Sequence, residues 1–357
     1  SIIGGFMKGN SLNYKKIVCA LLTFCIVITI LLQNVYAVGN SITTEVLRPS
    51  EALADSEIVS YLRDTNKLGE FYQAQNVIKQ NYNTQTARYA AQSLNESGIS
   101  AIDVEEIRNK YGLLLPNESK SGIIDNGYMC VQKKSNRIFG VWYFYYTISD
   151  SAFSIHAALI DYNDPLDKVT GTVTRYTLND TLWVRQTQRT IDSKNVMNGV
   201  VDTWWVSKWA VKEKFEYDLV IVDNGVTNRF NNINKNDYCR YNFDAQPYNS
   251  FTANGGQRHH FVSQSALSSN SYNSNTAYCI RMMTADHRKT GSYGNSSYVN
   301  QESQMLRNRQ YEALLRKEVD DLKSKQDCDG IAGTLQQKYN DEVVTCLFQY
   351  ERLFGIR

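Results

Sequence analysis

The sequence predicts an α+β protein with more than one domain, and three observations lead to this prediction. The chain has 357 residues, which is longer than a typical domain with a single hydrophobic core. Apolar residues recur at helical intervals before residue 126, whereas residues 126–227 are rich in β-branched and aromatic types. Three of the 4 histidines lie in the stretch 255–294. We therefore expect a helical N-terminal region, an antiparallel sandwich-like middle domain and a C-terminal domain that carries a functional site.

The composition and the motifs that are missing exclude some classes of function but indicate no particular one. The chain has 38 basic and 36 acidic residues, and its net charge of +2 gives no whole-chain argument for binding nucleic acid or membranes. The sequence contains no Cys-x-x-Cys pair, no His-Glu-x-x-His helix and no Gly-x-Ser-x-Gly elbow. These absences argue against a cysteine zinc site, a zinc protease and a serine hydrolase.

The segment 1–37 has the pattern of a signal peptide with a few upstream residues. Lysines at Lys8, Lys15 and Lys16 precede the uncharged run Ile17–Leu32, and small residues end at Ala37. We expect cleavage after Ala37 and a secreted, extracellular protein. The alternative is an uncleaved membrane anchor through residues 17–38, which are nearly enough to span a bilayer.

Residues 38–125 are predicted to be a helical region that carries no site chemistry. Residues 41–48 are interpreted as a short linker, and Ser50 is a candidate N-cap for the first helix. A later helix over Asp103–Tyr111 is expected to end near Gly112, because glycine favours the left-handed conformation that terminates helices.

Cys328 and Cys346, far downstream, are a candidate disulfide pair, since export permits disulfides.

The middle domain, residues 126–227, is predicted from short β-capable runs separated by turn residues. This pattern is typical of an antiparallel sandwich or barrel. The predicted strands are Tyr128–Gln132, Ile138–Ile148, Ser154–Ile160, Thr170–Leu178, Leu182–Thr190, Trp204–Lys212 and Tyr217–Val222.

Two aromatic clusters of this domain have two interpretations. The run Trp142–Tyr146 and the group of Trp204, Trp205 and Trp209 either fill the sandwich core or form a flat face that stacks on sugars. We favour the core, because aromatic side chains dominate protein cores. His156 lies in a predicted strand without acidic or cysteine neighbours and is interpreted as structural.

The candidate site begins after a predicted linker, residues 228–254, within a C-terminal domain of residues 255–357. Arg258, His259 and His260 form a short β-capable run, and adjacent residues of a strand point to opposite faces. At a strand end the two imidazoles can flank one site, with one binding a metal and the other facing the substrate. Asp286 and His287 follow on a short helix for which Thr284 is the candidate N-cap.

The strings RHHFVSQSAL and NTAYCIRMMTADHRKTGSYG, with the helix-rich tail after them, resemble the paired-histidine nuclease domains of the HNH/endonuclease VII superfamily. Such domains occur at the C-termini of bacterial polymorphic toxins, and the resemblance covers about the last hundred residues. It implies a ββα-metal-like domain in which a divalent ion and a histidine base hydrolyse phosphodiester bonds.

Roles carried over by this resemblance are assigned residue by residue. His260 is similar to the general base, His259 to a metal ligand and His287 to the ligand on the helix. The remaining candidates are Asp286 as a further metal ligand or orienting residue, Arg281 as a catalytic contact to phosphate, Arg258 and Lys289 as substrate-binding residues, and Asn275, ahead of Asn270 and Asn273, as the central asparagine. The alternative for Asp286 and His287 is an ordinary first helical turn, in which the carboxylate complements the helix dipole.

Two long helices are expected in the tail of the C-terminal domain. The first begins at Ser297 and runs to about Lys325, and its arginines are candidates for backbone contacts with nucleic acid. Thr334 and Gln337 form a predicted capping box for the last helix, which Gly355 ends.

The function expected from these observations is a secreted, toxin-like, metal-dependent nuclease acting on DNA or RNA. The expected cofactor is a divalent ion, Mg, Mn, Zn or Ni, and an immunity protein is an expected partner. The alternative from another class is a non-enzymatic surface protein that binds cell-wall glycan through the aromatic residues of the middle domain. That alternative predicts exposed rings at Trp142 or Trp204 and histidines that lie far apart.

Overall fold

The computed structural model describes residues 42–78, 98–115, 127–149, 151–162, 164–231, 238–330 and 333–357. The predicted signal peptide and the alternative membrane anchor, residues 17–38, lie outside the described residues. Within these ranges, no helix combines the length and the apolar character that a membrane span requires.

The described residues form a mixed α/β fold with antiparallel sheets and about ten helices. The first four helices are α1 (Pro49–Ala54), α2 (Ser56–Asp64), α3 (residues 68–78) and α4 (Ala101–Tyr111). Helix α4 begins at a capping box of Ser100 and Asp103 and ends at Gly112 in the left-handed conformation. The predicted end of this helix is therefore confirmed, whereas the N-cap of α1 is Arg48 rather than Ser50.

Ten strands form the two larger sheets. The first sheet has the order β1-β2-β3-β4-β7, and in the second, β10-β8-β5-β6, strand β9 also pairs with β8. The strands are β1 (Ile42–Leu47), β2 (Tyr128–Lys134), β3 (Arg137–Ile148), β4 (Ala152–Asp161), β5 (Leu166–Asn179), β6 (Leu182–Val196), β7 (Gly199–Trp205), β8 (Lys212–Asp223), β9 (Val226–Asn231) and β10 (Tyr238–Tyr241).

Aromatic and aliphatic side chains from both sheets form the core between them. The ring of Tyr146 on β3 stacks on that of Tyr217 on β8, with centroids 4.3 Å apart. Phe153 on β4 stacks on Phe215 in the same way, at 4.1 Å. The predicted antiparallel sheets are therefore confirmed, and aromatic rings of the two sheets pack against each other.

Alternation along β3 places the remaining rings of the aromatic run on the other face of the first sheet. There Tyr143 packs against Phe71 of α3, so the N-terminal helices cover this face. Trp142 is completely buried, and Trp204 packs its ring edge against Phe215 in the sandwich core. The core interpretation is confirmed for the rings of Trp142, Trp204 and Trp209, whereas Trp205 at the end of β7 is 72% exposed and does not belong to the core.

Two predictions about β structure were wrong. Residues 42–47 of the expected linker form strand β1, which pairs with β2. The expected strand Trp204–Lys212 is instead the end of β7, a loop, and the start of β8. In both places the pairing partner lies far away in sequence, and local composition does not reveal it.

The C-terminal part is built on a three-stranded sheet, β11-β13-β12. Its strands are β11 (Ala245–Pro247), β12 (Gln257–His260) and β13 (Tyr278–Met282), and its helices are α5 (Gln264–Ser269), α6 (Thr284–His287), α7 (Ser296–Arg307), α8 (Tyr311–Ser324), α9 (Leu335–Lys338) and α10 (Asn340–Phe354). Because β11 belongs to this sheet and β9 and β10 belong to the second, residues 228–254 are not merely a linker.

The helical tail differs from the prediction at two points. The expected single helix from Ser297 to about Lys325 is two helices, α7 and α8, separated at residues 308–310, where Arg309 has a positive φ of 56°. The expected last helix is also two helices, α9 and α10, divided at Tyr339; the predicted capping box of Thr334 and Gln337 begins α9, and the predicted Gly355 ends α10. Helix α4 packs into the same hydrophobic core as these helices, so it belongs to the C-terminal part rather than to the N-terminal helices.

The cysteines are not paired as expected. Cys328 and Cys346 are both free thiols, as are Cys130 and Cys279, the other cysteines whose side chains the structure describes. The proposed disulfide between Cys328 and Cys346 was therefore wrong.

Candidate active site

Strand β12 presents the two adjacent histidines to opposite sides, as the alternation of a strand requires. Gln257 and His259 face helix α6, where both contact the ring of His287. Arg258 and His260 face the other side, where both contact the ring of Tyr248. Since β12 ends at His260, the two imidazoles flank the end of one strand.

His259 and His287 come together. Their ring centroids are 5.0 Å apart, with an angle of 62° between the ring planes. His259 is 3% exposed, and its Nδ1 atom has no hydrogen-bond partner among the described residues. Burial, with His287 and His260 nearby, holds the pKa of His259 well below its usual value, so this ring is neutral and can donate a lone pair.

The orientation of His287 is set by Gln257. Nδ1 of His287 is hydrogen-bonded to Oε1 of Gln257, and because a carbonyl oxygen only accepts, Nδ1 carries the hydrogen. Nε2 of the neutral ring therefore carries the lone pair. Burial, and to a lesser extent His260, lowers the pKa of His287 to about 4, which keeps the ring neutral at physiological pH.

His260 is fixed by two neighbours. Its Nε2 donates to the backbone oxygen of Ser274 over 3.0 Å, which leaves the lone pair of the neutral ring on Nδ1. The ring also stacks on Tyr248, with centroids 4.6 Å apart. The guanidinium of Arg258 lies 3.8 Å from the centroid of the same tyrosine. A general base needs an unprotonated nitrogen in a fixed position. His260, held in one tautomer with a lone pair on Nδ1, meets this requirement.

The pair His259 and His287 has the chemistry of divalent-ion ligands, and its ring centroids are 5.0 Å apart. Metal–nitrogen bonds are about 2.0–2.1 Å long, so two nitrogens that share an ion lie within roughly 4 Å of each other. This distance is shorter than the distance between the centroids of the two rings. A buried nitrogen without a partner, such as Nδ1 of His259, is costly unless a ligand satisfies it. No group of three or more His, Cys, Asp or Glu residues suited to a metal occurs in the described part of the chain.

Asp286 has different contacts from those expected of a ligand. It is fully buried, and its carboxylate accepts hydrogen bonds from the amide of Cys328 at 2.7 Å and the hydroxyl of Tyr339 at 2.8 Å. Nζ of Lys338 also contacts Oδ2 of this carboxylate, at 2.8 Å. These partners occupy both oxygens, so the contacts of Asp286 support the alternative of a structural role, and we leave it out of the candidate ligand set.

Arg281 is also engaged elsewhere. Its Nε donates to the backbone oxygen of Thr252 at 2.9 Å, and its guanidinium is 3.5 Å from the carboxylate of Asp244. The residue is 6% exposed. These contacts attach the segment before β12 to strand β13, and they favour a structural role over the expected catalytic one.

The other predicted residues lie near the surface of the same region. Arg258 donates to the backbone oxygens of Tyr248 and Phe251, and exposed Lys289 donates to the backbone oxygen of Gln326. The side chain of Asn275 is exposed and adjoins Ser274, whose carbonyl orients His260. Of these three, Asn275 and Arg258 lie next to the residues that hold His260.

Two glycines allow the backbone to approach closely where β12 begins. A Cβ on Gly256 would lie 2.2 Å from the backbone oxygen of Met282, and one on Gly255 would lie 2.1 Å from that of Leu178. Gly255 also has a φ of +89°, which side chains disfavour. The strand that carries the histidines is therefore packed tightly against both β13 and the turn between β5 and β6.

Sequence reasoning missed three residues that orient the site: Gln257, Tyr248 and Ser274. Gln257 could have been found, because it lies two residues before His259 and thus on the same face of the strand. Tyr248 and Ser274 could not, since only the folded chain brings them to His260.

Comparisons of the chain with models of protein families, with curated proteins and with solved structures found no match.

Proposed function

We propose that this protein is a metal-dependent nuclease that hydrolyses phosphodiester bonds in DNA or RNA. The observation that carries the proposal is the arrangement of the three imidazoles at the end of β12: His259 meets His287 on one side, and His260 is held in one tautomer on the other. The order β12, β13, α6 also agrees with the ββα-metal-like domain implied by the resemblance.

His259 and His287 would hold the ion. An ion bound there would neutralise charge on the scissile phosphate and its leaving oxygen. Imidazole ligands suit Zn and Ni better than Mg, which prefers oxygen, so among the expected ions the donor set favours Zn and Ni. With two protein ligands, the other coordination positions are left to water and substrate.

His260 supplies the base. The carbonyl of Ser274 holds the hydrogen on Nε2, so Nδ1 is the nitrogen that accepts a proton from the attacking water. Stacking on Tyr248 restricts rotation of the ring. Burial lowers the pKa of His260, so the ring is unprotonated and ready to accept at neutral pH.

The glycan-binding alternative has no comparable support. It needs an exposed ring at Trp142 or Trp204 and separated histidines, whereas Trp142 is buried and the rings of His259 and His287 are 5.0 Å apart.

Cleavage of labelled DNA and RNA by the full chain, with Mg, Mn, Zn or Ni added, tests the proposal. We expect cleavage with at least one ion, and a loss of about 10²–10⁴-fold in rate for His260→Ala, the usual contribution of a general base. His156→Gln is the matched control, because His156 bonds to Thr147 within the first sheet and should leave the rate unchanged. An equal rate for His260→Ala, or no cleavage with any ion, contradicts the proposal.

Export and a toxin-like role belong to the same proposal. They derive from the segment 1–37 and from the resemblance, and they imply that a producing cell makes an immunity protein. N-terminal sequencing of the protein from culture medium tests export: a start at Val38 is the expected result, and a start upstream of residue 17 favours the anchor.

A further inference from the structure

Four buried charges of alternating sign connect the second sheet to helix α6, and we call them the ion-pair network: Lys212, Asp329, Lys338 and Asp286. Nζ of Lys212, on β8, lies 2.9 Å from Oδ1 of Asp329. Nζ of Lys338 lies 2.9 Å from Oδ2 of Asp329 and 2.8 Å from Oδ2 of Asp286. The network therefore ends at the residue that precedes His287.

The network is shielded from solvent. The four side chains, from Lys212 to Asp286, are 12%, 14%, 4% and 0% exposed. Burial raises the pKa of Asp329, but Lys212 and Lys338 outweigh this effect and lower it to about 2. Burial lowers the pKa of Lys338, but Asp286 and Asp329 outweigh it and raise the pKa. Asp329 and Lys338 thus carry opposite charges at neutral pH, and water screens their attraction little.

Other contacts attach the start of β12 to the same sheet. The amide of Asp180, in the turn between β5 and β6, donates to the backbone oxygen of Gly255 over 2.6 Å, and the amide of Val211 donates to that of Asn254 over 2.8 Å. Leu178, Val211 and Met283 form a small apolar cluster beside these bonds. Both elements that carry the histidine pair are therefore attached to the β-rich part.

We propose that Lys212, a residue of the β-rich part, is a positioning residue for His287 and acts through the ion-pair network. Helix α6 has only four residues, and so short a helix has little stability of its own. Its position then depends on the buried contacts of Asp286. Without Lys212, Asp329 has Lys338 as its sole lysine partner in the network. The attraction of Lys338 to Asp286, relative to its attraction to Asp329, then changes.

The effect of Lys212 on metal binding rests on the proposed function, whereas its effect on the position of His287 concerns the metal-free protein. Lys212→Met is therefore compared with Lys214→Met in the full chain. Lys214 is a matched control, because it lies on the same strand, is 11% exposed, and pairs with Glu216 of that strand.

Two readouts separate position from binding. Long-range ¹H–¹⁵N NMR reports which nitrogen of His287 carries hydrogen in the metal-free protein, and titration calorimetry with Ni²⁺ reports affinity. In wild type and Lys214→Met we expect a single tautomer with hydrogen on Nδ1. In Lys212→Met we expect a mixture of tautomers and about tenfold weaker Ni²⁺ binding, the lower end of the usual cost of losing an outer partner of a metal ligand. Lys212→Arg, which keeps the charge, should restore both.

A single His287 tautomer in Lys212→Met, as in Lys214→Met, overturns the proposal. Should Lys212→Met not fold, Tyr241→Phe replaces it, since this variant removes the 2.9 Å hydrogen bond from the Tyr241 hydroxyl to Asp329; the same criterion then applies. If wild type binds no Ni²⁺ but the tautomer of His287 still changes in Lys212→Met, the positioning role holds and the proposed function fails.

Discussion

Replacing Lys338 by methionine is expected to destabilise the protein through the carboxylates that its ammonium group holds. Methionine keeps an apolar stem of similar length but carries no charge. The residue is 4% exposed, and it contacts the fully buried Asp286 at 2.8 Å and Asp329 at 2.9 Å. Both carboxylates lose their shared cation in a place where water cannot replace it.

The size of the effect follows from what each carboxylate retains. Removing one partner of a buried ion pair costs about 3–5 kcal/mol. Asp286 still accepts hydrogen bonds from the amide of Cys328 and the hydroxyl of Tyr339, and Asp329 still contacts Lys212. Because neither carboxylate loses all its donors, we expect a loss near the lower end, about 3 kcal/mol.

Urea unfolding followed by tryptophan fluorescence measures this loss, provided that the slope of the free energy against urea is unchanged. Lys168→Met is the control, because its pair with Asp192 is exposed and is worth about 1 kcal/mol at most. In an Asp286→Asn background, Lys338→Met should cost at least about 1 kcal/mol less than alone, within the range of coupling between contacting residues. A cost below about 1 kcal/mol, or additive single and double variants, would refute the reasoning.

Two further predictions concern stability. Gly256→Ala should lower the free energy of unfolding, since the new Cβ would lie 2.2 Å from the oxygen of Met282, whereas Gly69→Ala, in a helix with open space, should raise it by about 0.5–1 kcal/mol; equal effects in urea unfolding would contradict this. Burial, and then Asp341, raises the pKa of Glu342 to about 8, so the folded state holds a proton that the unfolded state releases above about 4.3. Wild type should therefore lose stability relative to Glu342→Gln as pH rises from 5 to 8, on the order of 1 kcal/mol per pH unit, and parallel pH profiles would contradict this.

The part of the site that could be predicted from the sequence is the part set by local periodicity. Adjacent histidines on a strand must face opposite sides, and a helix directly after the next strand brings His287 over one of them. The meeting of His259 with His287 follows from these two facts. The capping box of Thr334 and Gln337 was predictable for the same reason, because its partners are three residues apart.

The rest depends on contacts between distant segments. Tyr248 and Ser274 reach His260 from 12 and 14 residues away, through the loops that surround the small sheet. Asp286 looked like a ligand because it adjoins a histidine, whereas its partners Tyr339 and Lys338 lie more than 50 residues later. No local pattern distinguishes a carboxylate that binds a metal from one that a buried lysine neutralises.

Helix α7 and strand β1 illustrate the same limit in the fold. The apolar stripe of the tail continues across residues 308–310, so its periodicity does not reveal the break between α7 and α8. Strand β1 is extended because β2 offers it a hydrogen-bonding edge more than 80 residues away. In both cases tertiary packing outweighs local preference.

The central claim is that His259 and His287 hold one divalent ion while His260 remains free of it. Calorimetric titration of the full chain with Ni²⁺ tests this claim most directly, with His287→Ala, His260→Ala and the remote His156→Gln as variants. We expect one ion per wild-type chain, a loss of that ion in His287→Ala, and its retention in His260→Ala and His156→Gln. No bound ion in wild type, or an unchanged affinity in His287→Ala, would contradict it.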